Sequence, residues 1–273
     1  MNPILTKYNQ RADAIHSLLC VGLDPVLSHV PERFRAADYP LFDFNRWIVE
    51  QTAEFTAAYK PNMAFYEARG VQGLTELQLT MEYLREFYPD IVTICDAKRG
   101  DNSNTNKGYA TSIFDRMGFD AVTLHPYLGK EALTPFLERR DKACIILCRT
   151  SNEGAGEFQD IEANGVPLWQ AVAERVSNEW DVDGNCMLVV GATYPEEMRR
   201  IRSVAPRTTF LVPGIGAQGG DVDAVVSAGL DAEGRGLMMS CSRDIIFSDD
   251  PATAARGFRD AIQAAREAID AAP

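Results

Sequence analysis

Histidine and lysine are scarce in this sequence, and no apolar run approaches the length of a membrane span. The three histidines, His16, His29 and His125, lie far apart, and none of the six cysteines stands in a Cys-x-x-Cys pair. A zinc site of the usual His/Cys kind has little material here. Cys20, Cys95, Cys144, Cys148, Cys186 and Cys241 sit in or beside short apolar runs, which predicts buried, reduced thiols. The longest such runs resemble residues 143–148, against the ~20 residues that a spanning helix needs. Lys7 and Arg11 come too early for the apolar core of a secretory signal, so the expected compartment is the cytoplasm. Positive charge is short as well: 27 Lys+Arg against 39 Asp+Glu leave a net charge of −12. Nucleic acids and anionic membranes are themselves polyanions, so neither is an expected partner.

What the chain does have is alternation. Short apolar, β-branched-rich runs at 18–23, 55–60, 91–95, 121–124, 144–148, 187–190, 209–212 and 236–240 predict eight strands. Amphipathic segments at 42–53, 76–87, 106–117, 168–180, 195–204, 221–228 and 252–269 predict the helices between them. Pro195 opens its helix where a missing N–H costs nothing. Strand–helix alternation repeated eight times implies parallel strands with right-handed crossovers. At 273 residues the chain fits one (β/α)8 barrel, an α/β fold that commonly runs ~250 residues. No linker-like stretch divides it, so residues 1–273 read as a single domain. The polar, Gly- and Glu-rich span 149–165 reads as an excursion over one face.

In such a barrel, chemistry collects at the C-terminal ends of the strands. The residues found there are Asp24-Pro25, Lys60-Pro61-Asn62, Asp96-Ala97-Lys98-Arg99-Gly100-Asp101, His125-Pro126, Arg149-Thr150-Ser151-Asn152, the run from Pro213 to Gly220, and Ser242-Arg243-Asp244. Asp96 and Lys98 are two apart in a strand, so both side chains leave the same face. Lys60 from the neighbouring strand and Asp101 from the following loop would complete an alternating Lys–Asp–Lys–Asp cluster. Charges so arranged stay ionised in a partly dry pocket. The alternative is an ion-pair network that only closes the barrel top.

Gly214-x-Gly216-x-x-Gly219 matches a dinucleotide fingerprint, which needs an acidic residue at the end of the next strand. Asp231 and Glu233 instead precede that strand, and the cation Arg243 follows it. Glycine-freed backbone N–H groups beside an arginine describe a phosphate monoester site; the alternative is that the glycines serve only tight turns. Asp24 suits a ribose hydroxyl, or a turn before Pro25. Ser151 suits a heterocycle edge, or a plain loop position. His125 receives no role, and the Gln159–Asp160 and Glu196–Glu197 pairs are expected on solvated surfaces.

Taken in order from Asp24 to Arg243, these motifs resemble the orotidine 5′-phosphate decarboxylase family, and more so its longer bacterial and archaeal branch. The carrying stretches are the run from Asp96 to Thr105, the run from Lys60 to Glu67, Thr150-Ser151-Asn152, the run from Pro213 to Gly220, and Ser242-Arg243. The Asp-x-Lys-x-x-Asp-x-x-x-Thr spacing is the most specific of them. Asn102-Ser103 departs from the family's usual apolar residue followed by Gly or Pro. The resemblance implies a homodimer that converts orotidine 5′-monophosphate to UMP and CO2, the last step of de novo UMP synthesis, with no cofactor or metal. It implies that Lys98 protonates C6, with Asp96 beside the departing carboxylate and Lys60 holding the network and the ribose. Asp101 and Thr105 would come from the partner subunit. Ser151 would meet the pyrimidine, Asp24 the ribose, and Gln218 and Arg243 the phosphate, with Pro213 and Gly214 also lining the substrate. Rival readings are a related barrel acting on pentulose or hexulose phosphates, a Schiff-base aldolase using Lys60 or Lys98, and a non-catalytic phosphate-ligand sensor. Asp96 opposes the aldolase by keeping Lys98 protonated, and a sensor has no need of Lys98.

Overall fold

In the computed structural model, which describes residues 2–216 and 220–270, all eight predicted strands are present. They are β1 (Leu19–Leu23), β2 (Ala58–Pro61), β3 (Val92–Arg99), β4 (Ala121–Leu124), β5 (Ala143–Arg149), β6 (Cys186–Val190), β7 (Phe210–Pro213) and β8 (Leu237–Cys241). Each pairs in parallel with its neighbours in this order, and β8 pairs back onto β1, with Leu19 opposite Met239. The result is a (β/α)8 barrel. Strands covered on both faces need near-continuous apolar runs rather than alternation. That is why β1, β4, β6 and β8 are buried at every position. All six cysteines are free and buried.

The differences from expectation have local causes. β2 starts late because the 3-10 turn Ala53–Phe55 comes first. The helix expected from 106 starts as Ser103–Ala110, because the Asn102 side chain accepts from Thr105 N and caps it. It continues as the π-helical turn Thr111–Arg116. Two helices of nine residues or more were not expected: Pro3–Ile15, capped by Asn2, and Gly129–Leu137, which carries Pro135 inside it. The first closes the bottom of the barrel, where the Tyr8 hydroxyl donates to Leu237 O at 2.7 Å. The 149–165 excursion holds a 3-10 turn (Glu153–Ala155), a short helix (Gly156–Gln159) and a hairpin pairing Glu162–Ala163 with Val166–Pro167. No helix among the described residues is long and apolar enough to cross a membrane.

Candidate active site

Three adjacent strands place a row of charges at the barrel mouth. Asp96 Oδ1 accepts from Lys98 Nζ at 2.6 Å and from Thr123 Oγ1 at 2.8 Å, while Oδ2 faces Lys60 Nζ at 3.4 Å. Lys60 and Asp96 are buried, but the Lys98 side chain keeps 50% of its exposure. Burial would pull the Lys60 ammonium down, yet Asp24 and Asp96 outweigh it and raise it above its ordinary value. Burial would likewise raise the Asp96 carboxyl, but Lys60 and Lys98, with the hydrogen bonds from Lys98 and Thr123, lower it to about 2. Mutual neutralisation therefore keeps Lys60 and Asp96 charged in a partly dry site.

The strand pleat alone does not bring Lys98 to Asp96. Lys98 has a φ of +45°, in the left-handed region, and the β3–β4 register slips between Cys95 and Arg99. The turn of the main chain at Lys98, rather than simple two-residue periodicity, sets its side chain beside Asp96.

A cavity of about 450 Å³ is lined by Lys60, Asp96, Lys98, Thr123, Ser151 and Gln159, among others. A second, of about 420 Å³, is lined by Asp24, Lys60, Asn62, Gly214, Ser242 and Arg243, among others. Lys60 and Pro213 line both, so the two are halves of one cleft. Asp24 is fixed in the second half by accepting from Asn62 N at 3.1 Å. Gly214 and Gly216 have φ of +99° and +79°. A Cβ on Gly216 would stand 2.2 Å from Asp244 Oδ2, so this turn requires glycine. Arg243 follows β8 at the mouth, whereas Asp231 and Glu233 precede it at the far end. The glycine turn and Arg243, with Asp244 beside it, thus stand together in this half of the cleft. Gln218 lies outside the described residues.

Asp101 and Thr105 are exposed and line neither half. Of the four charges expected to cluster, one chain brings together three. The Asp101 main chain is clamped by Asn106, whose side chain accepts from Asp101 N at 3.1 Å and donates to Asp101 O at 2.6 Å.

Two expectations of solvated surface need correction. The Gln159 amide accepts from Thr150 N at 2.9 Å and donates to Thr150 Oγ1 at 2.8 Å, which makes it part of the cleft wall beside Ser151. Asp160 and Glu197 pair with Arg149, only 3% exposed, at 3.1 and 3.8 Å, and the guanidinium stacks 3.9 Å over the Tyr194 ring. Both carboxylates hold the root of the excursion, but Asp160, like Glu196, stays exposed as expected. No local pattern announces these roles, because they arise when the excursion folds back. Thr123 was also missed, although its place near the end of a predicted strand marked it as facing the site. Among the described residues, no three His, Cys, Asp or Glu side chains cluster to hold a metal ion.

A profile described as the orotidine 5′-phosphate decarboxylase / HUMPS family matches residues 17–258. The orotidine 5′-phosphate decarboxylase of Cellvibrio japonicus (strain Ueda107) is 46% identical over 246 residues, covering 88% of this chain and 89% of that protein. The solved Leishmania donovani OMP decarboxylase superposes with a TM-score of 0.88 at 39% identity, covering 97% of this chain and 99% of that one. The Leishmania donovani UMP synthase superposes with a TM-score of 0.89 at 41% identity; the match covers 96% of this chain and 56% of that longer one. Fold, motif order and full-length similarity agree, and the chain belongs to the orotidine 5′-phosphate decarboxylase / HUMPS family.

Proposed function

We infer that this chain is an orotidine 5′-phosphate decarboxylase, releasing CO2 and leaving UMP, the final step of UMP synthesis, with Lys98 as its proton donor. The observation that carries the reading is the Lys60–Asp96–Lys98 row, set where the two halves of the cleft meet. When the C6–CO2 bond breaks, its electron pair stays on C6 in the ring plane, where the π system cannot delocalise it. An ammonium aimed at C6 stabilises that charge and then gives C6 its proton; water restores the proton to Lys98. Asp96 holds the Lys98 ammonium at 2.6 Å and repels the substrate carboxylate. Binding of the remote phosphate by Arg243 and the Gly214 turn offsets that repulsion. Asp24 and Lys60 meet the ribose, and Ser151 the pyrimidine edge. A Schiff-base aldolase would need a neutral lysine, which the 2.6 Å contact to Asp96 opposes.

The outward placement of Asp101 and Thr105 supports a homodimer in which both serve the partner's cleft. Tyr127, 89% exposed, and Leu128, 48% exposed, supply apolar surface beside the mouth for that contact. The six free thiols support a cytoplasmic location. We take residues 1–273 as one barrel domain, acting without a cofactor. The test is the fall in ultraviolet absorbance when the purified protein meets orotidine 5′-monophosphate. Wild type is expected to turn over, and Lys98→Ala to bind UMP yet lose activity by far more than tenfold, about 1.4 kcal/mol in the barrier. An inactive wild type overturns the reading, and Lys98→Ala within tenfold of wild type overturns the role of Lys98.

A further inference from the structure

We propose that Thr123 is a positioning residue for this reaction, its hydroxyl setting both the main chain of Lys98 and the carboxylate of Asp96. The inference rests on the decarboxylase reading above. Thr123 is the third of the four residues of β4 and only 1% exposed. Its Oγ1 accepts from Lys98 N at 3.0 Å and donates to Asp96 Oδ1 at 2.8 Å. The directions are forced, because an amide N–H only donates, an ionised carboxylate only accepts, and the hydroxyl has a single proton to give.

The need for such a group is visible in the strand itself. Between Cys95 and Arg99 the β3–β4 ladder is interrupted, so Lys98 N lacks a regular strand partner. Lys98 also holds a left-handed φ of +45°, which a lysine adopts only where its surroundings over-determine it. The Thr123 hydroxyl replaces the missing ladder bond. Asp96 Oδ1, oriented by the same hydroxyl, receives Lys98 Nζ at 2.6 Å. A closed ring of contacts thus ties both ends of Lys98, its amide and its ammonium, to one threonine. A small shift of that ring moves the ammonium relative to the bond being broken, and misplacement of a reacting group lowers turnover steeply.

Valine keeps the shape of threonine and removes both bonds, whereas serine keeps the hydroxyl. The experiment compares wild type, Thr123→Val and Thr123→Ser in steady-state decarboxylation of orotidine 5′-monophosphate, with thermal melts alongside. The expected result is a fall in kcat of about tenfold or more for Thr123→Val, with KM within about threefold, and recovery to within about threefold of wild type for Thr123→Ser. A Thr123→Val kcat within about threefold of wild type overturns the proposal. A serine variant as slow as the valine variant does so too, since shape would then be what matters. If the valine chain does not fold, Thr123→Ala is read against Thr123→Ser by the same criterion. An inactive wild type would fell the decarboxylase reading and the proposal with it, whereas an active wild type matched by an equally active Thr123→Val fells the proposal alone.

Discussion

Gln159 grips Thr150 at two points, taking its backbone N–H at 2.9 Å and giving a hydrogen bond to its hydroxyl at 2.8 Å. The excursion beyond β5 therefore reaches back and shapes the wall that carries Ser151. Gln159→Ala leaves both Thr150 groups without this partner. We expect kcat/KM to fall about tenfold, with the melting temperature lowered by roughly 3 °C or less. Unchanged kinetics would mean that Ser151 is held without Gln159.

Arg243→Ala is expected to weaken the 5′-phosphorylated substrate by several kcal/mol and the unphosphorylated nucleoside hardly at all. The substitution removes a charge-assisted hydrogen bond that only the phosphate receives. Measuring kcat/KM for both compounds decides it. Equal losses would make Arg243 a structural residue.

Asp96 supplies a pH prediction. Its carboxyl lies at about 2, against an ordinary value of 3.8. A depressed carboxyl contributes stability that is fully present above the ordinary value and is lost as pH falls toward the depressed one. Lys60 is raised, so its contribution persists below its ordinary value of 10.5 and fades only at higher pH. The difference in unfolding free energy between wild type and Asp96→Asn should therefore stay level from about pH 5 to about pH 9 and shrink between about pH 4 and pH 2. Denaturant titrations across that range show whether it does.

A shared site has its own signature. Lys98→Ala and Asp101→Ala chains are each expected to be nearly inactive. When they are unfolded and refolded together, each mixed dimer carries one site with both lesions and one with neither. Random pairing then restores about a quarter of all sites. Activity no greater than the sum of the two variants, with exchange confirmed by mass, would place both residues in one chain's site.

The strands were readable because a barrel strand buried on both faces leaves an unbroken apolar run, as in β4 and β6. Asp24, Lys60, Asp96, Lys98 and Arg243 were readable because the ends of such runs are where a barrel keeps its polar residues. The Pro3–Ile15 helix could have been read from Asn2 and Pro3, a side-chain cap followed by a residue already shaped for the first turn. Gln159, Asp160 and Glu197 could not. Each acquires its role from a partner brought near only by the folding of the 149–165 excursion, and the sequence around each has the ordinary look of an exposed helix end. The left-handed turn at Lys98 was hidden for a different reason: it depends on a hydroxyl from the next strand, not on a glycine.

Closure of the barrel joins its first strand to its last. β1 finds one of its two neighbours only in β8, and the Tyr8 hydroxyl waits for the carbonyl of Leu237. On a ribosome adding about 5–20 residues per second, the opening segment emerges on the order of ten seconds or more before the strand that completes it. Through that interval β1 has an open edge, a ready template for the wrong neighbour. While the residues between β1 and β8 are being made the nascent sheet therefore stays unclosed, and the arrival of β8 decides whether β1 gains its second neighbour.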